Sequence, residues 1–177
     1  MDDLQLTATL RKMQTDTGRT VLDLSYDQPV MLIFLRHFGC TFCREALSDI
    51  AELRPQIEAD GTRVVFVHMA DNELAGRYFK KYKLHGACHV SDPDCEFYQF
   101  FGLTKGTSHQ LFGLHSWVRG FEAGVMNGHG VGYRPLGDGF QMPGVFVLLN
   151  GEIRESFVHK LASDRPDYAS LSRCCKV

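Results

Sequence analysis

The feature that most constrains this chain is a continuous apolar run that ends at a pair of cysteines. The run, Met-Leu-Ile-Phe-Leu at residues 31–35, is typical of a strand that is buried on both faces. Apolar residues at nearly helical spacing then predict a helix over residues 41–59. Cys40 and Cys43 lie at this junction. Two sulfurs three residues apart on a helix share one face and can close a small disulfide ring.

The position of the two cysteines also favours thiol reactivity. A helix start supplies unpaired N–H groups and the positive end of the helix dipole, which favour a thiolate over a thiol. Only the thiolate attacks disulfides or peroxides. Arg36 and Arg44 are expected to act in the same direction, with His37 as a further candidate. Thiol–disulfide chemistry is therefore the first hypothesis for this pair.

Two other interpretations of the Cys-x-x-Cys motif stay open. It is also half of a zinc site, although such sites usually need a second Cys-x-x-Cys or a His-x(3–5)-His further on. Cys88 and Cys95 are seven residues apart, Cys174 and Cys175 are adjacent, and the eight histidines are scattered. Redox chemistry is therefore preferred over a structural metal site and over inert buried cysteines, and no metal is expected.

Length and charge limit the class of protein. At 177 residues the chain is expected to form one domain that buries about 70% of its unfolded surface. The net charge of −2 indicates neither nucleic acid nor an anionic membrane as a partner. The first residues are too polar for a signal peptide and no apolar stretch is long enough to span a bilayer, so the expected location is cytoplasmic. Gly128, Gly130 and Gly132 follow no strand and open no clear helix, so no nucleotide or other cofactor is expected.

Helix and strand patterns alternate along the chain, which predicts an α/β domain around a central sheet. Asn150-Gly151 is a strong signal for a β-hairpin turn. In chain order we expect a helix within residues 2–14, a strand at 20–24, a strand at 30–36, the helix at 41–59, a strand at 64–69, a helix at 71–82, a strand at 88–90, a helix at 95–101, hairpin strands at 143–149 and 152–158, and a helix around 166–173.

A glycine-rich and aromatic segment interrupts this pattern at residues 103–141. It contains the single tryptophan, Trp117, and a helix is expected at residues 116–126. A segment of this length is usually functional or mobile. This segment is expected to line a substrate pocket, to form a lid packed on the core or to make a dimer contact. A homodimer is therefore kept as an alternative. The chain is thus predicted to be a single domain over residues 1–177, with an N-terminal extension at 1–18 and this insertion.

The order of elements matches the layout of a thioredoxin-like fold. A strand leads into a Cys-x-x-Cys helix, a βα unit follows, and a proline precedes a hairpin. In that layout the Met142-Pro143 bond is predicted to be cis and to lie across from the cysteines. The predicted fold is α/β and thioredoxin-like, with a central mixed sheet flanked by helices and the insertion before the C-terminal hairpin.

Three segments resemble a known family. Residues 34–45, Phe-Leu-Arg-His-Phe-Gly-Cys-Thr-Phe-Cys-Arg-Glu, resemble the active-site segment of the peroxiredoxin-like branch of the alkyl hydroperoxide reductase/thiol-specific antioxidant family, which includes selenoprotein-L-like proteins. Residues 90–103 resemble its Asp-Pro turn and following helix, and residues 139–147 resemble its late strand. The resemblance covers roughly residues 20–170 and implies a thioredoxin fold with redox or peroxide-related activity.

The resemblance leaves two assignments of the attacking thiol open. Standard peroxiredoxins have a Pro seven residues before the peroxidatic Cys and a Thr or Ser three residues before it. If Cys43 is that residue, Arg36 replaces the Pro and Cys40 replaces the hydroxyl. If the chain instead works as a thioredoxin, Cys40 is the exposed nucleophile and Cys43 is the resolving thiol.

These observations predict a thiol-dependent redox protein. Cys40 and Cys43 would reduce a peroxide or a disulfide and close an intramolecular disulfide, with Arg36, Thr41 and Pro143 as supporting residues. The expected partners are the peroxide or disulfide substrate and a thioredoxin- or glutathione-type reductant. The alternative is a non-catalytic redox-sensing or interaction module.

The four other cysteines have less defined roles. Cys88 and Cys95 lie near apolar residues and are expected to be buried and structural. Cys174 and Cys175 lie in a polar C-terminal tail. They are expected to be an exposed pair without a role or, alternatively, a second redox relay that reaches Cys40.

Overall fold

The computed structural model describes residues 2–107 and 137–175. Its helices and strands are, in chain order, α1 Asp3–Lys12, α2 Val21–Asp27, β1 Val30–Phe34, α3 Thr41–Ala59, β2 Arg63–His68, α4 Asn72–Lys81, β3 Cys88–Ser91, α5 Glu96–Phe100, β4 Gly144–Leu149, β5 Glu152–Val158 and α6 Tyr168–Ser172, with a 3₁₀ turn at Arg173–Cys175. Within the described ranges, no helix combines the length and the apolar character needed to cross a membrane.

The described strands form one mixed sheet in the order β3-β2-β1-β4-β5. The central strand β1 is parallel to β2 and antiparallel to β4. β2 and β3 are also parallel, and β4 and β5 form an antiparallel hairpin. All five residues of β1 are buried, as its unbroken apolar run predicts. The prediction of a central mixed sheet flanked by helices is confirmed.

Two apolar clusters cover the two faces of this sheet. One contains Leu32 and Phe34 of β1, and the other contains Ile33 together with Leu47 and Ile50 of α3. Because side chains alternate across a strand, β1 contributes to both clusters. The apolar stripe of α3 thus fixes this helix against the sheet, with its first residue close to the end of β1.

Several local predictions are confirmed. The helix at 41–59 has the predicted bounds, and Asp71 is the N-cap of α4, where its side chain accepts a hydrogen bond from the Leu74 amide at 2.7 Å. The hairpin turn also forms as predicted. Asn150 and Gly151 have φ angles of 54° and 76°, the left-handed pair that a type I′ turn requires.

The strand predicted at residues 20–24 is wrong, because this segment begins helix α2. Thr20 and Asp23 form a capping box: the Thr20 hydroxyl accepts from the Asp23 amide at 3.1 Å, and the Asp23 carboxylate accepts from the Thr20 amide at 3.4 Å. A Thr followed three residues later by an acidic side chain is a known helix-start signal. This reciprocal capping outweighs the β-propensity of the short apolar stretch.

The predicted cis bond at Met142-Pro143 is also wrong, since the described residues contain no cis peptide bond. The trans isomer is the lower-energy form even before proline. Pro143 is nevertheless buried directly before β4. The helix predicted at residues 116–126 lies outside the described residues.

Candidate active site

The loop from Leu35 to Cys40 joins the central strand to α3 and carries the first candidate thiol. Tyr98 fixes the start of this loop, because its hydroxyl donates to the Leu35 carbonyl oxygen at 2.6 Å. Cys40 is the N-cap of α3, and its carbonyl oxygen accepts the first helical hydrogen bond from the Arg44 amide at 3.1 Å. The Cys40 thiol makes no capping hydrogen bond, so the sulfur is available to other partners.

Arg36 is the charged group in contact with the Cys40 sulfur. Its Nη1 lies 3.0 Å from Cys40 Sγ, while Nη2 donates to the Gly139 carbonyl oxygen and Nε donates to the Gln141 carbonyl oxygen at 3.3 Å. Arg36 is 7% exposed, and none of the ion pairs within residues 2–107 and 137–175 includes it. A guanidinium keeps its charge in this setting. A thiolate at Cys40 would therefore supply the opposite charge that the described surroundings of Arg36 lack.

Cys43 lies one turn further along α3 in a different environment. It is 3% exposed, and its thiol donates to the Arg36 carbonyl oxygen at 3.5 Å. Burial raises the pKa of Cys43 well above its ordinary value, and the neighbouring Cys40 adds to the effect, while Arg36 and Arg44 oppose it. At neutral pH Cys43 is thus a protonated, shielded thiol, whereas Cys40 is partly exposed.

The structure corrects the sequence-based view of His37. Burial lowers the pKa of His37 to about 4, and the Arg36 charge adds to this decrease. His37 is therefore neutral at pH 7 and adds no positive charge to the site. Arg44 is exposed and donates to the Gly39 carbonyl oxygen at 2.9 Å, so this hydrogen bond goes to the loop backbone and not to a thiol.

A pocket opens on the side of α3 that carries Cys43. Arg36, Cys43 and Pro143 all line it, together with the aromatic ring of Phe42. It has about 540 Å³ of empty volume, which includes open solvent. Three of the predicted site residues thus meet around one opening, and Cys40 contacts the same Arg36 without lining the pocket.

An ion-pair cluster lies beside this pocket. At its edge Arg165 pairs with Glu45 at 2.7 Å and with Asp49 at 3.4 Å, which links α3 to the segment before α6. The prediction for Thr41 remains untested, because its side chain lies outside the described part of the chain.

Sequence reasoning missed the residues that hold Arg36. The Gly139 and Gln141 carbonyl oxygens accept its hydrogen bonds from more than a hundred residues away in sequence. Gln141 is itself fixed, since its buried side chain donates to the Leu103 carbonyl oxygen at 2.6 Å. Any residue type offers a carbonyl, so no sequence signal could have identified these acceptors.

The other cysteines lie away from this contact. Cys88 and Cys95 are buried in the cluster that contains Phe34, and both are free thiols. Cys174 and Cys175 belong to the 3₁₀ turn after α6. Among the described residues, no group of three or more His, Cys, Asp or Glu side chains is arranged to hold a metal ion.

Comparison with known proteins identifies related sequences and folds. A family model described as AhpC/TSA antioxidant enzyme matches residues 49–162, a range that begins after both candidate cysteines. The "Thioredoxin-like protein AAED1, chloroplastic" of Arabidopsis thaliana is 24% identical over 164 residues, which cover 88% of this chain and 65% of that protein. The chain therefore spans less than two thirds of the length of this relative.

Solved peroxiredoxins share the fold at low sequence identity. A cysteine-to-serine mutant of peroxiredoxin 6 from Arenicola marina has a TM-score of 0.64 and 10% identity, covering 91% of this chain and 66% of that one. A yeast mitochondrial 1-Cys peroxiredoxin, whose structure addresses thiol resolution via the glutathione and thioredoxin systems, has a TM-score of 0.61 and 14% identity. That match covers 91% of this chain and 68% of the yeast chain. The thioredoxin-like fold of peroxiredoxins is therefore the fold of this chain.

Proposed function

The chain belongs to the AhpC/TSA antioxidant enzyme family, and we propose that it reduces a peroxide through a Cys40 thiolate that Cys43 then resolves. The observation that carries this proposal is the 3.0 Å contact between Nη1 of Arg36 and Sγ of Cys40. A buried guanidinium beside a sulfur atom stabilises negative charge on that sulfur. The same donor can also stabilise charge that develops on the peroxide oxygen as its bond breaks.

The proposed reaction has two steps and a regeneration. The Cys40 thiolate attacks one oxygen of ROOH, so that an S–O bond forms, the O–O bond breaks and RO⁻ leaves to take up a proton as ROH. The sulfur is thereby oxidised to a sulfenic acid. The Cys43 thiol then attacks this sulfur, which forms the Cys40–Cys43 disulfide and releases water. An external dithiol, or two monothiols, supplies the two electrons that restore both thiols.

Exposure and charge together support Cys40 as the proposed attacking thiol. A substrate reaches Cys40 from solvent and finds it beside a cation, whereas Cys43 is buried and its pKa is raised. Only a thiolate is an effective nucleophile. A protonated Cys43 suits the second step instead, because the resolving thiol must stay unoxidised while Cys40 reacts with the peroxide.

Resolution by Cys43 requires a local rearrangement at the start of α3. Cys40 is the N-cap and has an extended backbone conformation, so the helical spacing of side chains does not fix its sulfur relative to that of Cys43, and a disulfide needs Cβ atoms about 3.5–4.5 Å apart. Cys43 must also leave its hydrogen bond to the Arg36 carbonyl oxygen. Helix ends open at low free-energy cost compared with helix interiors.

The reductant we propose is of the thioredoxin or glutathione type, the two systems named for the yeast neighbour. Disulfide substrates are the runner-up to peroxides, since a Cys40 thiolate can form a mixed disulfide in the same position. Cytoplasmic location and a homodimer stay predictions of the sequence.

A coupled assay tests this function. Reduced protein is mixed with hydrogen peroxide or an organic hydroperoxide and with thioredoxin, thioredoxin reductase and NADPH, and NADPH loss is followed. A second arm replaces thioredoxin with glutathione, and a third offers insulin disulfides. Cys40→Ser should abolish peroxide turnover, Cys43→Ser should accumulate a sulfenic acid that dimedone traps at Cys40, and Cys174→Ser should retain wild-type turnover.

Two outcomes would overturn parts of this proposal. Dimedone trapping at Cys43 in the Cys40→Ser variant would reverse the assignment of the attacking thiol. Absence of turnover in every arm, with the Cys40–Cys43 disulfide still forming, would favour the redox-sensing module over an enzyme.

A further inference from the structure

Cys174 and Cys175 form a second close pair of thiols, at the end of the described chain. Their Sγ atoms lie 3.3 Å apart, and both residues are free. Cys174 is exposed, while Cys175 is partly buried against the cluster that contains Leu47 and Ile50 of α3. One sulfur therefore faces solvent and the other is held by packing.

This pair lies at the opposite end of the sheet from Cys40. The Ser172 carbonyl oxygen, two residues before Cys174, accepts a hydrogen bond from the Thr62 hydroxyl at 3.3 Å. Thr62 immediately precedes β2, whereas Cys40 follows the other end of the parallel strand β1. The strands alone separate these ends by roughly 13 Å. The relay to Cys40 considered from the sequence is therefore not supported by the geometry.

Adjacency also disfavours a disulfide between Cys174 and Cys175. Consecutive Cα atoms across a trans peptide are about 3.8 Å apart, whereas disulfide-bonded residues usually have Cα atoms about 4.4–6.8 Å apart. Direct closure would strain the backbone of the 3₁₀ turn. An atom placed between the two sulfurs relieves this constraint, because the sulfurs then need not bond to each other.

Zinc does not fit this geometry. Tetrahedral coordination with zinc–sulfur bonds of about 2.3 Å places two thiolate sulfurs about 3.8 Å apart and needs further ligands. Residues 2–107 and 137–175 contain no group of three or more suitable side chains. A trivalent arsenic centre differs, because it is pyramidal with bond angles near a right angle. It therefore brings two sulfurs closer together and requires no additional protein ligand.

We propose that Cys174 and Cys175 form a bidentate site for trivalent arsenicals. In the reaction an arsenic–oxygen unit, R–As=O, takes both thiols: two As–S bonds form, the two thiol protons join the departing oxygen and one water is released. Arsenic stays trivalent, so no electrons are transferred. This site is independent of the peroxide chemistry proposed for Cys40.

The raised pKa of Cys174 agrees with this assignment. Partial burial raises the pKa of Cys174 to about 12, with contributions from the contact to Cys175 and from the Glu155 carboxylate. Thiolate-dependent metal binding and disulfide exchange are slow for such a thiol. Condensation with R–As=O instead consumes neutral thiols and carries their protons away as water.

Phenylarsine oxide is the probe, and intact-mass spectrometry is the readout. The experiment uses the reduced Cys40→Ser/Cys43→Ser variant, so that the other thiol pair cannot contribute. One adduct, with a mass gain of the reagent less one water, should persist in excess glutathione and be removed by 2,3-dimercaptopropanol. Removing either thiol abolishes the chelate, so Cys174→Ser and Cys175→Ser should each weaken retention about a hundredfold.

Cys88→Ala in the same background is the control, because it removes a buried thiol outside the pair and should keep the adduct. Far-ultraviolet circular dichroism of each variant checks that it is folded before labelling. Retention of the adduct in Cys174→Ser, or its loss to glutathione in the parent, would overturn the proposal. Proteolytic mapping of the adduct to Cys88 or Cys95 would do the same.

Discussion

The two close thiol pairs of this chain differ in what surrounds their sulfur atoms. Cys40 Sγ has Nη1 of the Arg36 guanidinium, a cation, at 3.0 Å. Cys174 has Cys175 Sγ at 3.3 Å, and desolvation of its own sulfur, with smaller contributions from Cys175 and from the Glu155 carboxylate, raises its pKa to about 12. Both pairs have an accessible first cysteine and a more buried second one. The two pairs thus share closely spaced sulfurs but differ in the group that contacts the first sulfur, which is a guanidinium at Cys40 and a second thiol at Cys174.

Removing the Arg36 charge should have the largest effect on the difference in reactivity between Cys40 and Cys174. Arg36→Met keeps much of the side-chain length but loses the donor to Cys40, so kcat/KM for peroxide should fall by about 10²–10³. Alkylation of Cys40 by iodoacetamide should slow, and that of Cys174 should not change. Peptide mass spectrometry after short exposures measures both rates in one sample.

Arg44→Met is the matched control for Arg36→Met. Arg44 is exposed and donates to the Gly39 carbonyl oxygen, not to a thiol, so its loss should change kcat/KM much less. Equal losses in the two variants would mean that general positive charge near α3, and not the Arg36 contact, activates Cys40.

Acid pH should lower the stability of the fold through two buried histidines. His68 is fully buried, and its ring nitrogens contact the Ala70 carbonyl oxygen at 2.9 Å and His89 at 3.0 Å. Burial lowers the pKa of His68 to about 3 and that of His37 to about 4. Both pKa values rise to about 6.5 on unfolding. Their stabilising contribution is therefore complete above pH 6.5 and is lost as the pH falls towards 4.

The size of this pH effect can be measured by urea unfolding. Each buried histidine should lower the free energy of unfolding by up to about 1.4 kcal/mol per pH unit below pH 6.5. His68→Met should flatten this slope whatever it does to absolute stability, and the exposed His85→Gln should leave the slope unchanged. The raised pKa of buried Asp92 acts in the opposite direction as the pH falls into the carboxylate range, so the slope is measured just below pH 6.5. An equal slope in wild type and His68→Met would contradict the assignment of this pH dependence to the lowered pKa of His68.

The difference between the two pairs was only partly predictable from sequence. The apolar run at 31–35, the helix at 41–59 and the Asn150-Gly151 turn are local patterns, and they predicted the sheet and the place of Cys40 at a helix start. The Thr20–Asp23 capping box was also present in the sequence but was missed because a short apolar stretch suggested a strand.

The contacts that distinguish Cys40 from Cys43 are tertiary. Arg36 is held by the Gly139 and Gln141 carbonyl oxygens, which come from a distant segment and carry no side-chain signature. The burial of Cys43 depends on how α3 rotates against the sheet. Sequence spacing therefore predicted two candidate thiols but could not choose between them as the proposed nucleophile.

Replacing one thiol in each pair by a hydroxyl should give the smallest effect and the last test of the comparison. Cys43 is 3% exposed among apolar side chains, so Cys43→Ser buries a more polar group and should lower the free energy of unfolding by about 1–2 kcal/mol. Cys174 is exposed, and Cys174→Ser should stay within about 0.5 kcal/mol of wild type. Urea unfolding under reducing conditions measures both, with Cys43→Ala to separate lost volume from added polarity. Equal losses at the two positions would mean that Cys43 is as accessible as Cys174, and its role as the shielded resolving thiol would fail.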